Sequence, residues 1–255
     1  MKVKILFKKS YRLNNLSKIT YDNLWNTKGV FTTIRIQGSP PKIFFLKEHL
    51  DNLNKSLKKL NINFSINSQI FKSIVIKELK KHVKYNHLLR IAINRRVISI
   101  NLRQRKNPNK FLKASIFKYQ RPQPHIKNLY YNKILSILRS IDTSTNEIIL
   151  FYNKKLLEGC TTNIICAKNS KLYIPKENYY YGITLQLIAK FTKRKIIKKN
   201  ILIKQLNFFD EIILVGSGKG VVAVNNIPQI KWKNKTQIIY KELQQLYKSI
   251  LERKK

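Results

Sequence analysis

The chain has little cysteine, few acids and no long apolar run, and each shortage excludes something. Its 255 residues contain two cysteines, Cys160 and Cys166, six positions apart in alternating, strand-like sequence. They provide no disulfide framework and point to an intracellular, reducing compartment, the cytoplasm in the simplest reading. No apolar stretch approaches the ~20 residues of a membrane span, so no membrane partner is expected. Met1–Lys9 is too short an apolar run for a secretory signal, although its basic character leaves organelle import open. There is no internal repeat, and Gly216-Ser217-Gly218-Lys219-Gly220 fits neither the dinucleotide-binding nor the P-loop glycine pattern. Acids number 12 against 52 Lys+Arg, a formal charge of +40.

Such a charge attracts polyanions. However, 41 of the 52 cations are lysine, they are spread along the whole chain, and Asn and Ile are abundant too. That is the composition A/T-rich coding produces. It argues against nucleic acid as the main partner and for attraction of an anionic substrate or cofactor. Hydrophobic residues make up 43% of the chain, enough for a folded core.

Val30-Phe31-Thr32-Thr33-Ile34-Arg35-Ile36, rich in β-branched residues, predicts a strand over Gly29–Ile36. After the turn Gly38-Ser39-Pro40-Pro41, Ile43–Leu46 reads as a short return strand. Leu50, Leu53, Leu57 and Leu60 then fall on one helical face. Phe71, Ile74, Val75 and Leu79 suggest a second helix behind the cap candidates Asn67-Ser68. Strands are expected at Leu88–Ile93, Val97–Leu102 and Phe111–Phe117. Arg121-Pro122-Gln123-Pro124 breaks both ladders and helices, so residues 119–126 read as a linker between a lobe of 1–118 and one of 127–255. Beyond it come a helix over Leu129–Ile141, a hairpin of Glu147–Tyr152 with Leu156–Cys166, and a strand at Lys171–Ile174. A helix over Ile183–Phe191, strands Glu211–Val215 and Val221–Val224, and a helix over Thr236–Leu251 complete the plan. The class is α+β with two lobes.

Several segments carry chemistry in one order. Lys127 precedes Glu158 by 31 positions. A lysine that can hold an aldehyde and move protons, with a carboxylate on a strand end, is what pyridoxal 5'-phosphate (PLP) requires of a protein. Gly182-Ile183-Thr184 opens a helix, and Gly216-Ser217-Gly218 follows a strand. Both offer backbone N–H groups to a phosphate. No metal-ligand spacing is present.

These residues resemble the class IV aminotransferases, the fold-type IV PLP enzymes. The resemblance lies in Lys127-Asn128-Leu129-Tyr130-Tyr131, in Glu158 through Asn163 with Ile165 in the place of an aromatic, in Gly182-Ile183-Thr184 and in Gly216-Ser217-Gly218. In the first half it lies in Gly29–Arg35 and in Phe44–Leu50. It implies a D-amino acid aminotransferase-like fold, with a small N-terminal α/β lobe and a larger C-terminal β-barrel-like lobe, working as a homodimer. It implies that Lys127 is catalytic and that Lys127, Tyr131, Glu158, Ile183, Thr184, Ser217 and Gly218 bind PLP. Phe31, Thr33, Arg35 and Arg90 would meet a small substrate carrying carboxylate and amine. The Phe-Thr-Thr-x-Arg stretch at Phe31–Arg35 is most similar to that of 4-amino-4-deoxychorismate lyase, which releases 4-aminobenzoate and pyruvate for folate synthesis. Branched-chain or D-amino acid aminotransferase is the alternative. A degenerate, non-catalytic member binding a polyanion or a partner subunit is the third reading. Two positions depart from the pattern: Asn52 and Leu185 stand where arginines are usual.

Overall fold

The computed structural model describes residues 4–253, so the start of the basic N-terminal run and the last two lysines lie outside the described residues. The chain divides into two compact units. The first takes in residues up to Arg105 together with Ile126–Asn132, and the second takes in Lys106–His125 and the chain from Lys133 onward.

The first unit holds β1 (Ile5–Arg12), β2 (Lys18–Ile19), β3 (Gly29–Gly38), β4 (Lys42–Ile43), α1 (Leu46–Lys59), α2 (Ser68–Ile74), β5 (Tyr85–Asn94) and β6 (Val97–Gln104). Its strands form one antiparallel sheet in the order β2-β1-β6-β5-β3-β4. The leucine stripe of α1 packs on this sheet, with Leu50, Leu53 and Leu57 buried beside Val30, Ile34 and Ile36 of β3. Each such leucine contributes about 1.5–3 kcal/mol of burial, so the stripe fixes the face that α1 presents. The expected return strand is only two residues long. Phe45 adopts a left-handed backbone, φ 57°, and Leu46 already begins α1. Asn67 caps α2 as expected, its side chain accepting the Ile70 N–H.

The second unit holds β7 (Phe111–Lys118), α3 (Asn132–Arg139), β8 (Asn146–Tyr152), β9 (Lys155–Gly159), β10 (Asn163–Lys168), β11 (Lys171–Pro175), α4 (Ile183–Phe191), β12 (Ile196–Lys199), β13 (Glu211–Gly216), β14 (Gly220–Ile227), β15 (Trp232–Lys233) and α5 (Ile238–Arg253). Eight of its strands run in the order β12-β11-β10-β13-β14-β7-β8-β9, with β15 paired to β14. The sheet curls on itself. After β12 the chain bonds to β9, with the Leu156 N–H donating to Ile201 O at 2.7 Å and the Ile203 N–H to Lys154 O at 2.9 Å. The result is the barrel-like sheet of an α+β, two-unit protein. Glu211 is fully buried and accepts from the Ile239 and Tyr240 N–H groups and from the Thr236 hydroxyl, capping α5.

Three expectations change. β7 pairs in parallel with both β8 and β14, so it belongs to the second sheet although the sequence boundary at 118 put it in the first lobe. The helix expected over Leu129–Ile141 is confined to Asn132–Arg139, because Leu129 is held extended by the N–H···O bond from its amide to Gly29 O. The strand expected over Leu156–Cys166 breaks after Gly159, where the Gly159 N–H donates to Thr162 O. Cys160 therefore sits in the break. Both cysteines are buried thiols outside any disulfide, and burial pushes both well up, which disfavours the reactive thiolate. Among the described residues no helix is long and apolar enough to cross a membrane.

Candidate active site

In the first unit Lys127 lies on an extended segment docked against the start of β3. The Phe31 N–H donates to Lys127 O at 2.8 Å, and Asn128 bridges Val30. The docking needs Gly29. A Cβ there would come within 2.3 Å of Ile93 O and 2.7 Å of Leu129 Cδ1. With the backbone seated, Lys127 Nζ stands 5.1 Å from the centre of the Phe31 ring. Phe31 meets Trp25 and Tyr131 edge-on at 5.0 and 5.2 Å, and Trp25 stacks on Tyr131 at 5.5 Å. The half-buried lysine thus stands next to Phe31, one member of a wall of three rings.

Arg90 lies beside that wall. Its guanidinium is 3.7 Å from the Trp25 ring and donates to Asn23 O at 2.7 Å. Burial pulls it down to about 10, which leaves it cationic at neutral pH. Thr33 is its cross-strand partner. Phe31, Thr33 and Arg35 share one face of β3, because alternate strand residues do. Arg35 is further along, donating to Gln37 and lying 5.9 Å from the Phe44 ring. The structure therefore brings Lys127, Phe31, Tyr131 and Arg90 together, and leaves Arg35 outside that cluster.

On the opposite face of β3, Thr32 Oγ1 and His49 Nδ1 of α1 are 2.8 Å apart and both buried. Burial first, and the Lys127 charge second, pull the imidazole down to about 3. The unfolded chain takes up this proton near pH 6.5. Stability is therefore expected to be flat above pH 6.5 and to fall as the pH drops from 6.5 towards 3, by on the order of 4 kcal/mol for this group alone. Urea titrations at pH 7, 5 and 4 should show a shallower loss for His49→Asn than for the wild type. Equal slopes would remove His49 from the account.

In the second unit Glu158, 5% exposed, ends β9. Arg121, equally buried, places Nε and Nη2 each 2.7 Å from Glu158 Oε1 and also donates to Pro124 O. The other carboxylate oxygen accepts the Tyr180 N–H at 3.2 Å. Asn163 opens β10 and links the same group to α4. It donates to Tyr180 O and accepts the Gly182 N–H at 3.1 Å. Gly182 is the N-cap of α4, so the amides of Ile183 and Thr184 lie in the first turn, outside the helix ladder. The turn after β13 packs against the same break, where a Cβ at Gly216 would stand 3.1 Å from Thr161 O. Glu158, the start of α4 and the Gly216–Gly218 turn are therefore assembled around one interruption in the sheet.

Arg121 was not among the expected site residues. Two prolines made its segment read as a linker, yet Arg121, Pro124 and Ile126 are buried. Asn163 lay within the Glu158–Asn163 motif, but its bonding role was not legible from spacing. Leu185 is fully buried inside α4, and Asn52 is half-buried on α1. Neither can form the charge-assisted bonds of an arginine. The donors offered by this unit are backbone amides at a helix start and in a small-residue turn, with a buried carboxylate nearby. That set suits a phosphate at one end and an N–H cation at the other. Among the described residues no cluster of His, Cys, Asp or Glu is arranged to hold a metal ion.

Comparison with known proteins identifies the family. The family model described as amino-transferase class IV matches residues 29–227. A Methanocaldococcus jannaschii protein named "Putative branched-chain-amino-acid aminotransferase" is 25% identical over 87% of this chain and 86% of its own length. Among solved structures, a hypothetical aminotransferase from Mycobacterium tuberculosis in PLP-bound form superposes with a TM-score of 0.74 at 13% identity, covering 98% of this chain and 100% of that one. A "Putative 4-amino-4-deoxychorismate lyase" from Legionella pneumophila gives 0.71 at 18% identity, covering 89% and 91%.

Proposed function

The chain belongs to the class IV aminotransferases, a PLP-dependent enzyme family, and from that premise we propose that it transfers an amino group between an amino acid with an apolar side chain and a keto acid. The observation that carries this reading is the wall of Trp25, Phe31 and Tyr131 beside Lys127. An apolar side chain gains by covering such rings, whereas a substrate with two carboxylates would need a cation for each. Arg90 then meets the single carboxylate. The same reading includes a homodimer working in the cytoplasm.

Lys127 would receive the cofactor's aldehyde and Glu158 its pyridine nitrogen. The bound cofactor supplies an electron sink next to the reacting carbon. Glu158 would accept the ring N–H, while Arg121 balances its charge and fixes its rotamer. The amides of Ile183, Thr184, Ser217 and Gly218 would hold the phosphate, and Tyr131 would contribute to binding the cofactor. With no arginine at positions 52 and 185, these neutral donors carry the phosphate grip. Lys127 Nζ would take the proton from the substrate's α-carbon and hold it for return.

The second reading, 4-amino-4-deoxychorismate lyase, rests on Phe31-Thr32-Thr33-Ile34-Arg35, which places a second cation on the Arg90 face of the sheet. One assay separates the two. Purified protein with PLP is expected to consume leucine only when a keto acid with one carboxylate, such as 2-oxobutanoate, is supplied. Release of 4-aminobenzoate from 4-amino-4-deoxychorismate without any keto acid would replace the first reading with the second. Inactivity in both assays would leave a non-catalytic family member.

A further inference from the structure

Lys219 belongs to the turn that joins β13 to β14, directly after Ser217-Gly218, and it behaves unlike a surface lysine. Its side chain is 8% exposed. Its ammonium donates to Thr143 O at 2.6 Å and Asn146 O at 3.2 Å, and stands 3.6 Å from Glu147 Oε2. Two carbonyl acceptors and the Glu147 carboxylate as ion-pair partner turn the charge inward. Glu147 is fully buried and does more than pair with it. Its Oε2 also accepts from the hydroxyls of Thr161 at 2.7 Å and Thr162 at 3.4 Å, and Oε1 accepts the Ile148 N–H. Thr161 and Thr162 form the break after Gly159, and Thr161 O abuts Gly216. One carboxylate thus ties the far end of the Gly216–Gly220 turn to the loop that supports its near end. Burial pulls the Lys219 ammonium down while Glu147 opposes that shift, as expected of a structural pair.

We propose that the buried Glu147–Lys219 pair is a positioning device that holds the Ser217 and Gly218 amides in the arrangement that grips a phosphate. The inference rests on reading that turn as the cofactor's phosphate site. A phosphate grip made of neutral amides depends on their convergence, so it is sensitive to an anchor that never touches the ligand.

The test uses pyridoxine 5'-phosphate and pyridoxine, which lack the aldehyde and so do not react with the many surface lysines. Both are titrated calorimetrically into the full-length apo protein. The wild type is expected to prefer the phosphorylated form. Glu147→Gln and Lys219→Met should each weaken pyridoxine 5'-phosphate about tenfold while leaving pyridoxine within about twofold, and Lys219→Arg should restore most of the loss. Glu147→Gln is the decisive variant because it makes the neighbourhood more positive. Simple charge attraction would tighten phosphate binding there, and that result would overturn the proposal. Equal weakening of both ligands would also overturn it, as the sign of a merely structural role. If Glu147→Gln does not fold, Lys219→Met and Lys219→Arg still decide between these outcomes. A wild type with no preference for the phosphorylated form would instead refute the phosphate site itself, and this inference with it.

Discussion

Lys127→Ala is expected to cut turnover by about 10²–10⁴-fold through the lost proton transfer alone, with the lost covalent step adding to that. It should also remove the visible absorption that PLP gives in the folded wild-type protein. Stability should change little, because the side chain is only half-buried and its backbone bond to Phe31 survives the substitution. Absorbance titration and circular dichroism on the same samples separate these effects. If the variant keeps wild-type turnover, Lys127 is not the reacting amine and the proposed mechanism fails.

The second large effect is structural. Arg121→Met should destabilise the second unit by about 3–5 kcal/mol, because it leaves the Glu158 carboxylate buried without its counter-ion. Arg121→Lys should recover only part of this, since an ammonium cannot reproduce the two guanidinium contacts with Glu158 Oε1. Denaturant unfolding followed by a probe in the second unit measures both. A loss below about 1 kcal/mol for Arg121→Met, the value of an exposed pair, would mean that Glu158 finds another partner. The cofactor should bind more weakly in the same variant, because Glu158 loses the group that fixes its rotamer.

These two residues also show how far the sequence could be read. Lys127 could be singled out because the order of lysine, acid and two glycine-containing turns is carried by residue types and spacing. β3, α1, α4 and β13 were legible through periodicity. Arg121 was not, because two prolines in three residues look the same in a linker and in a buried crossing; what separates them is a partner 37 positions away. The β9–β10 break was hidden because alternation continues through it, and only the Glu147–Thr161 and Glu147–Thr162 bonds show why the chain turns there. Leu129 matches a helical stripe and is withheld from α3 by a hydrogen bond to Gly29. In each case a contact distant in sequence overrode a local signal.

The docking of the Lys127 segment against Gly29 has a genetic consequence. In a protein with 41 lysines, the proposed reacting one is distinguished by address rather than by residue type. Coding drift can add or delete lysines over the rest of the surface without creating a rival, because none of them acquires that address. The vulnerable codon is therefore not only the lysine's own. An alanine at Gly29 would meet Ile93 O and Leu129 at once, and would act as a null allele that leaves the nucleophile in the gene but displaces it in the fold.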